Sequence, residues 1–239
     1  MNHLKSITDR LHNPLAGKME LSKRKVFINR VKTLAANKGI ALSVGVGDGI
    51  WDYLIFRNSN IHSIIATDVI ACPVSRPDQA LLKQLGDWKF LQIGPEAGLP
   101  FDDCSFDIIF HQDVIEHTEK PYLFLQEQHR VLKNGGTIIC GTPNLFRPAN
   151  IAKLLTGTLK FPINIGFKIE IGDYIHIQEF YEQQLRILVK EAGFEHISVY
   201  HCFWGLPFAK VCFSMYPKGN IGKSLCHFLI VMAKKDEKP

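Results

Sequence analysis

Three glycines at alternate positions, Gly45, Gly47 and Gly49, follow the apolar run Ile40–Val44 and stand beside Asp48 and Trp51. Glycine lets a backbone turn tightly and lets a ligand come close to it. A helix beginning near Gly49 aims unpaired N–H groups back at that turn. The chemistry expected there is recognition of a polar, nucleoside-bearing cofactor at the carboxyl end of a buried first strand. Asp68 closes a second apolar run, Ile61–Asp68, and a carboxylate at that position can accept both ribose hydroxyls. The dinucleotide pattern G-x-G-x-x-G needs a glycine at position 50. Ile50 stands there, which argues against a nicotinamide cofactor.

A second group of residues suits proton or metal chemistry. Asp113, Glu116 and His117 fall at i, i+3 and i+4, so a helical start would put all three on one face. Two carboxylates and an imidazole can hold a divalent cation such as magnesium, which lowers the pKa of a hydroxyl. His176 is the leading candidate for a general base toward a hydroxyl, with His111 second, because imidazole titrates near neutrality.

The elements that must position these residues alternate. Apolar runs at 40–46, 61–68, 89–93, 106–111 and 137–142 read as strands. Between them, helices are expected over 50–56, 77–85 and 121–132, the last stopped by Asn134-Gly135-Gly136. This spacing predicts an α/β fold: a Rossmann-like, doubly wound, mainly parallel sheet with right-handed crossovers. Val26, Ile28, Val31 and Leu34 predict a helix over 21–37 in an N-terminal helical extension spanning 1–39, whose first 20 residues read as loosely ordered. Prolines 143, 148 and 162 break the alternation, so 143–178 reads as a lid or substrate platform with a short amphipathic helix at Ile151, Leu154 and Leu155. Helix signals resume at Glu179 and stop at Gly193, and strands are expected at 196–202 and 224–233.

Longer phrases sharpen the reading. Leu99-Pro-Phe-Asp-Asp-Cys-Ser-Phe-Asp107, Asp113-Val-Ile-Glu-His117 and Arg130-Val-Leu-Lys-Asn-Gly-Gly136, followed by Thr142-Pro-Asn144, come in order after the G-x-G-x-G turn. Together, over about 40–145, they resemble the motifs of the class I S-adenosylmethionine-dependent methyltransferases. The resemblance implies a seven-stranded sheet with an antiparallel last strand, in one methyltransferase domain covering 1–239. It implies that Gly45, Val46, Gly47 and Gly49 line the methionine moiety of S-adenosylmethionine, and that Asp68 and Val69 take the ribose. Ile93 and Gly94 would border the adenine, and Gln112 would approach the methionine end. Asp113, Glu116 and His117 resemble the metal set of ubiquinone-biosynthesis O-methyltransferases and plant small-RNA 2′-O-methyltransferases, and His176 the distal histidine of the latter. Two departures stand out: the acid usual two residues before the first glycine is Ser43, and the adenine-side acid falls at Pro95, beside Glu96.

Bulk properties bound the rest. A 239-residue chain with 46% hydrophobic residues can bury a real core, and its net charge of +5 is mild. Six cysteines form no C-x-x-C pair, there is no apolar leader, and no run approaches the roughly 20 apolar residues of a membrane span. A cytoplasmic protein is expected. The expected reaction is O-methylation of a small-molecule, sugar or lipid-linked acceptor. The alternatives are an inactive S-adenosylmethionine-binding regulator and an RNA 2′-O-methyltransferase. No basic cluster interleaved with aromatics supports nucleic acid as partner. Lys153, Lys160 and Lys168 leave a peripheral membrane contact open, and the sequence says nothing about oligomeric state.

Overall fold

The structure, a computed structural model, describes residues 6–11, 17–34, 39–94, 98–159, 176–206 and 210–236. Pro95, Glu96, Lys160, Lys168 and the stretch 160–175 of the expected lid lie outside them.

Five parallel strands form the carboxyl edge on which the glycine turn sits. They are β1 (Gly39–Val44), β2 (Ile61–Asp68), β3 (Asp87–Gln92), β4 (Phe106–Gln112) and β5 (Leu132–Pro143). Beyond them come β6 (Glu195–Cys202), a two-stranded hairpin of β7 (Trp204–Leu206) and β8 (Val211–Ser214), and β9 (Phe228–Lys234). The seven-stranded order is β3-β2-β1-β4-β5-β9-β6. Strand β9 runs antiparallel to both neighbours and separates β5 from β6, as expected for this fold.

Side-chain alternation along the central strands explains why both faces are covered. Ala41, Ile64, Ile108, Phe110 and Ile139 join one apolar layer with α2 (Lys18–Thr33), α3 (Ile50–Asn58) and α4 (Arg76–Leu85). Leu42, Val44, Ile109, Ile138 and Val231 join the opposite layer, with α5 (Pro121–Val131) and α7 (Glu182–Glu191). The remaining helices are α1 (Ile7–Leu11), α6 (Pro148–Leu155) and α8 (Gly219–Ser224).

Several expectations need correction. The described part of the first 20 residues is docked: Ile7 is fully buried and its N–H donates to Asp78 Oδ1 at 2.9 Å. Helix α2 ends at Thr33. Gly135 and Gly136 do not form a loop between helix and strand, because β5 starts at Leu132, which pairs with Phe106. There Lys235 satisfies the last turn of α5, its Nζ donating to the carbonyls of His129 and Leu132 at 2.8 Å. The expected strand at 224–233 begins only at Phe228, and the hairpin and α8 fill the chain before it.

Candidate active site

The glycine turn is held in a conformation that favours glycine. Gly45, Gly47 and Gly49 have φ of 66°, 52° and 79°. A Cβ on Gly45 would lie 2.6 Å from Val114 Cγ2, whereas one on Gly47 would meet nothing within 4 Å. Gly45 is therefore fixed by packing against the chain after β4, and Gly47 borders open space. The turn is latched to its neighbour strand: Val46 N–H donates to the Thr67 carbonyl at 2.9 Å, and Gly47 N–H to Asp68 Oδ2 at 3.2 Å. Asp68 Oδ1 accepts from Val69 N–H at 2.8 Å. Ile93 N–H donates to the Asp68 carbonyl at 2.9 Å, which brings Ile93 and the exposed Gly94 beside it. Arg10 reaches the far side of the turn and pairs with Asp48 at 3.2 Å.

Ser43 is turned away from this cradle. It is 2% exposed, and its hydroxyl lies 2.6 Å from Oδ1 of Asp52 in α3. Trp88 of β3 donates to Asp52 Oδ2 at 2.7 Å. Burial pushes the Asp52 carboxyl up to about 7, against the pull of Ser43 and Trp88. An acid thus braces the end of β1 from beneath, and sequence reading missed it.

At the ends of β4, β5 and β9 a second wall forms. Gln112 is buried, and among the described residues neither its Nε2 nor its Oε1 has a partner. It lies so close to β5 that a Cβ on Gly141 would sit 1.9 Å from Gln112 Oε1. A buried amide without partners is costly, so this one suits a polar ligand at the carboxyl edge. Lys23 of α2 enters from above: its Nζ is 3.9 Å from the Phe228 ring centroid and 2.7 Å from Asp113 Oδ2. Burial works to lower the Lys23 pKa, but Asp113 and Glu20 outweigh it and hold the ammonium charged.

That ion pair corrects the expected metal set. Residues 113–117 do not start an α-helix: Asp113 has φ 55°, and a 3₁₀ turn spans Ile115–His117. Asp113 faces Lys23, and the convergent group is Glu116, His117 and His176, with one donor atom from each within 4.8 Å of the others. The His117 and His176 rings meet edge-on at 5.0 Å. Glu116 is fully buried; Thr142 donates to its Oε2 at 3.0 Å, while Oε1 is without a partner among the described residues. Burial, with Asp113 nearby, pushes Glu116 up to about 8. An orphaned carboxylate oxygen beside two imidazoles fits a divalent cation. The donors are now one oxygen ligand and two nitrogen ligands, which suits manganese, iron or zinc better than magnesium.

His176 is oriented by a hub. Its Nδ1 lies 2.7 Å from Glu179 Oε1, and Glu179 also accepts from Arg147 Nη2 at 2.5 Å and Asn150 Nδ2 at 2.6 Å. Burial pushes the Glu179 carboxyl upward, yet His176, Arg147 and Asn150 outweigh it and keep it a carboxylate. The hydrogen bond to Glu179 raises the His176 pKa and leaves Nε2 as the nitrogen that can accept a proton. The segment is fixed to the metal-type group through Ile177 N–H, which donates to the Glu116 carbonyl at 2.9 Å. His111 is a different case. It is 1% exposed, stacks edge-on to Phe124 of α5, and is held neutral, its pKa pushed down to about 3 by burial. Enclosed on the α5 face, it does not serve as a base.

Comparison with known proteins agrees with this geometry. Residues 42–140 match the methyltransferase domain family. The chain is 30% identical over 118 residues to a probable S-adenosylmethionine-dependent methyltransferase of Mycolicibacterium smegmatis, covering 49% of this chain and 40% of that protein. It is 40% identical over 43 residues to the ubiquinone biosynthesis O-methyltransferase of Maricaulis maris, covering 18% and 17%. The chain thus spans less than half the length of these curated relatives. Among solved structures, an S-adenosylmethionine-dependent methyltransferase of Thermotoga maritima, described as a possible histamine N-methyltransferase, superposes with a TM-score of 0.60 at 22% identity. That match covers 96% of this chain and 98% of the other. A methyltransferase of Archaeoglobus fulgidus gives 0.59 at 14% identity, over 89% and 94%.

Proposed function

We propose that this chain, whose residues 42–140 match the methyltransferase domain family, is a class I S-adenosylmethionine-dependent methyltransferase that transfers a methyl group from S-adenosylmethionine to an oxygen of a small-molecule acceptor. The observation that carries the reading is a junction at one edge of the sheet. A glycine turn latched to Asp68 touches Val114, and the same loop leads to Glu116 and to His176 held by Glu179.

The sulfonium supplies an activated methyl group with an excellent leaving group. What remains for the protein is alignment and exclusion of water. In this reading Gly45, Val46, Gly47 and Gly49 give backbone access for the methionine portion, and the buried amide of Gln112 hydrogen-bonds it. Asp68 takes the ribose hydroxyls, with Val69, Ile93 and Gly94 along the nucleoside. His176, with Nδ1 engaged by Glu179, takes the acceptor hydroxyl proton at Nε2. The acceptor class favoured is a sugar, quinone or lipid-linked alcohol, in keeping with the O-methyltransferase named among the relatives.

A second reading of the same site rests on the convergence of Glu116, His117 and His176. There they would hold a divalent cation, which lowers the pKa of a coordinated hydroxyl. His176 then orients the metal instead of accepting the proton directly.

The test is calorimetric titration of the full chain with S-adenosylmethionine, then with manganese or zinc, followed by methyl transfer to hydroxylated acceptors. Asp68→Asn is expected to weaken cofactor binding by roughly ten- to a hundredfold, the range for a charged hydrogen bond. His176→Ala is expected to lower turnover by about 10²–10⁴ without weakening cofactor binding. Unchanged turnover in His176→Ala rejects the base; loss of metal binding in that variant favours the second reading; no cofactor binding by the unaltered chain rejects both.

A further inference from the structure

Beside the candidate site lies a surface whose composition differs from the rest of the chain. Segments 145–159 and 203–227 contain no aspartate or glutamate, although the chain has 23 of them. They carry Lys153, Lys210, Lys218 and Lys223, all exposed and none in an ion pair among the described residues. They also carry more than half of the large exposed apolar side chains among those residues. Leu155 is 83% exposed, Ile221 69%, Leu154 65% and Phe213 57%.

The two segments form one surface. Helix α6 packs against β7, and Asn144, just ahead of α6, donates from Nδ2 to the carbonyls of Ser224 and Cys226 at 2.8 Å. Within the second segment the Trp204 and Phe213 rings lie 5.0 Å apart, and Gly222 of α8 sits against Trp204. Both segments leave the sheet at the same edge, since Phe228 pairs with Pro143 at the end of β5 and with Cys202 at the end of β6. That is also the edge carrying the glycine turn. Arg147, next to α6, ties the surface to the His176–Glu179 pair.

We propose that this surface docks the protein on a bilayer containing anionic lipid, with α6, the β7–β8 hairpin and α8 at the headgroup level. Lysines alternate with exposed apolar residues in Lys153-Leu154-Leu155, in Lys210-Val211-Cys212-Phe213 and around Ile221. Lysines beside apolar side chains suit a membrane surface: the apolar groups enter the acyl boundary and the ammoniums extend to phosphates. Interfaces between proteins are instead depleted in lysine. With no carboxylate in either segment, nothing there repels an anionic headgroup. The bound orientation turns the rim of the cleft toward the lipid. This deepens the lipid-linked alternative for the acceptor and in that respect rests on the proposed methyl transfer, although docking itself does not.

The experiment is co-sedimentation of the full chain with vesicles of phosphatidylcholine alone or mixed with phosphatidylglycerol, with S-adenosylmethionine binding measured on the same preparations. Binding is expected to the mixed vesicles and to fall at high salt. Changing lysines 153, 218 and 223 to glutamate is expected to weaken it by at least roughly fivefold per position. Leu154→Ser with Leu155→Ser should weaken it by at least about tenfold. Both variants change exposed positions, and unaltered thermal melting checks that they fold. Failure to sediment with either vesicle, or equal sedimentation of unaltered chain and both variants, overturns the proposal. So does concentration-dependent self-association abolished by Leu154→Ser with Leu155→Ser, since the face would then cover a second copy. Intact cofactor binding without vesicle binding rejects the docking surface alone, and the reverse result rejects the cofactor reading alone.

Discussion

Replacing Asp52 with asparagine should make the protein more stable at neutral to alkaline pH while leaving its structure intact. Trp88 Nε1 can only donate, so Asp52 Oδ2 must accept, at 2.7 Å. A proton on the acid therefore sits on Oδ1 and is shared with Ser43 Oγ, 2.6 Å away. Asparagine reproduces this pattern, with its carbonyl on Trp88 and its amide on Ser43. The native acid has its pKa raised from 3.8 to about 7 by burial. The folded state then holds a proton that the unfolded chain releases, so the associated stability is full below 3.8 and is lost as pH rises through about 7. At about 1.4 kcal/mol per tenfold, the gap corresponds to about 4 kcal/mol, of which about 3 falls between about pH 5 and pH 8. That is a large fraction of the ~5–15 kcal/mol typical of a folded protein. Urea unfolding of both proteins across this range provides the measurement. The variant's advantage should grow with pH by about that amount. A difference independent of pH, or a variant less stable at pH 8, would mean that Ser43 and Trp88 stabilise the carboxylate enough to overcome burial, and the reasoning would fail.

Gly141→Ala would put a methyl 1.9 Å from Gln112 Oε1 and 2.8 Å from Phe228 Cε1. It should cost about 1–3 kcal/mol in unfolding free energy and weaken S-adenosylmethionine binding in calorimetry by displacing the amide. Lys23→Met removes both the partner of Asp113 and the ammonium that lies over the Phe228 ring. Because the Asp113 side chain is 42% exposed, solvent screens the loss, and urea unfolding should report about 1–2 kcal/mol of destabilisation. Glu179→Gln leaves Arg147 and His176 without a charged partner. It is expected to lower turnover while S-adenosylmethionine affinity stays within about twofold, and to lower stability by about 2–3 kcal/mol.

How much of this was legible in the sequence varies along the chain. Strands β1, β2 and β4 are continuous apolar runs because both faces are buried, and such runs survive without knowledge of their partners. The glycine turn was equally plain, since few other residues accept its backbone conformation. Asp113 misled because i, i+3, i+4 spacing has meaning only on a helix. Its positive φ, stabilised by a lysine 90 positions away in sequence, leaves no local signal. Asp52 carries no local sign of burial in the sequence, because its partners Ser43 and Trp88 come from two different strands. The hairpin and α8 were missed because Lys210–Ser224 mixes glycine, proline, lysine and exposed apolar residues without period. At His176 the histidine was legible, whereas the Arg147–Asn150–Glu179 hub that orients it depends on α6 packing.

The interior position of β9 bears on how the chain emerges from the ribosome. Strand β6 is synthesised before β9, yet it reaches β5 only through β9. Until β9 is released, the β5 edge stays open and β6 has no place in the sheet, both hazards for pairing with other chains. A translation arrest or cleavage between β6 and β9 would therefore leave more than a frayed end. It would yield a nascent product with an unsealed sheet, which quality-control chaperones and proteases would recognise, whereas loss of the residues beyond Lys235 would leave the strand order intact.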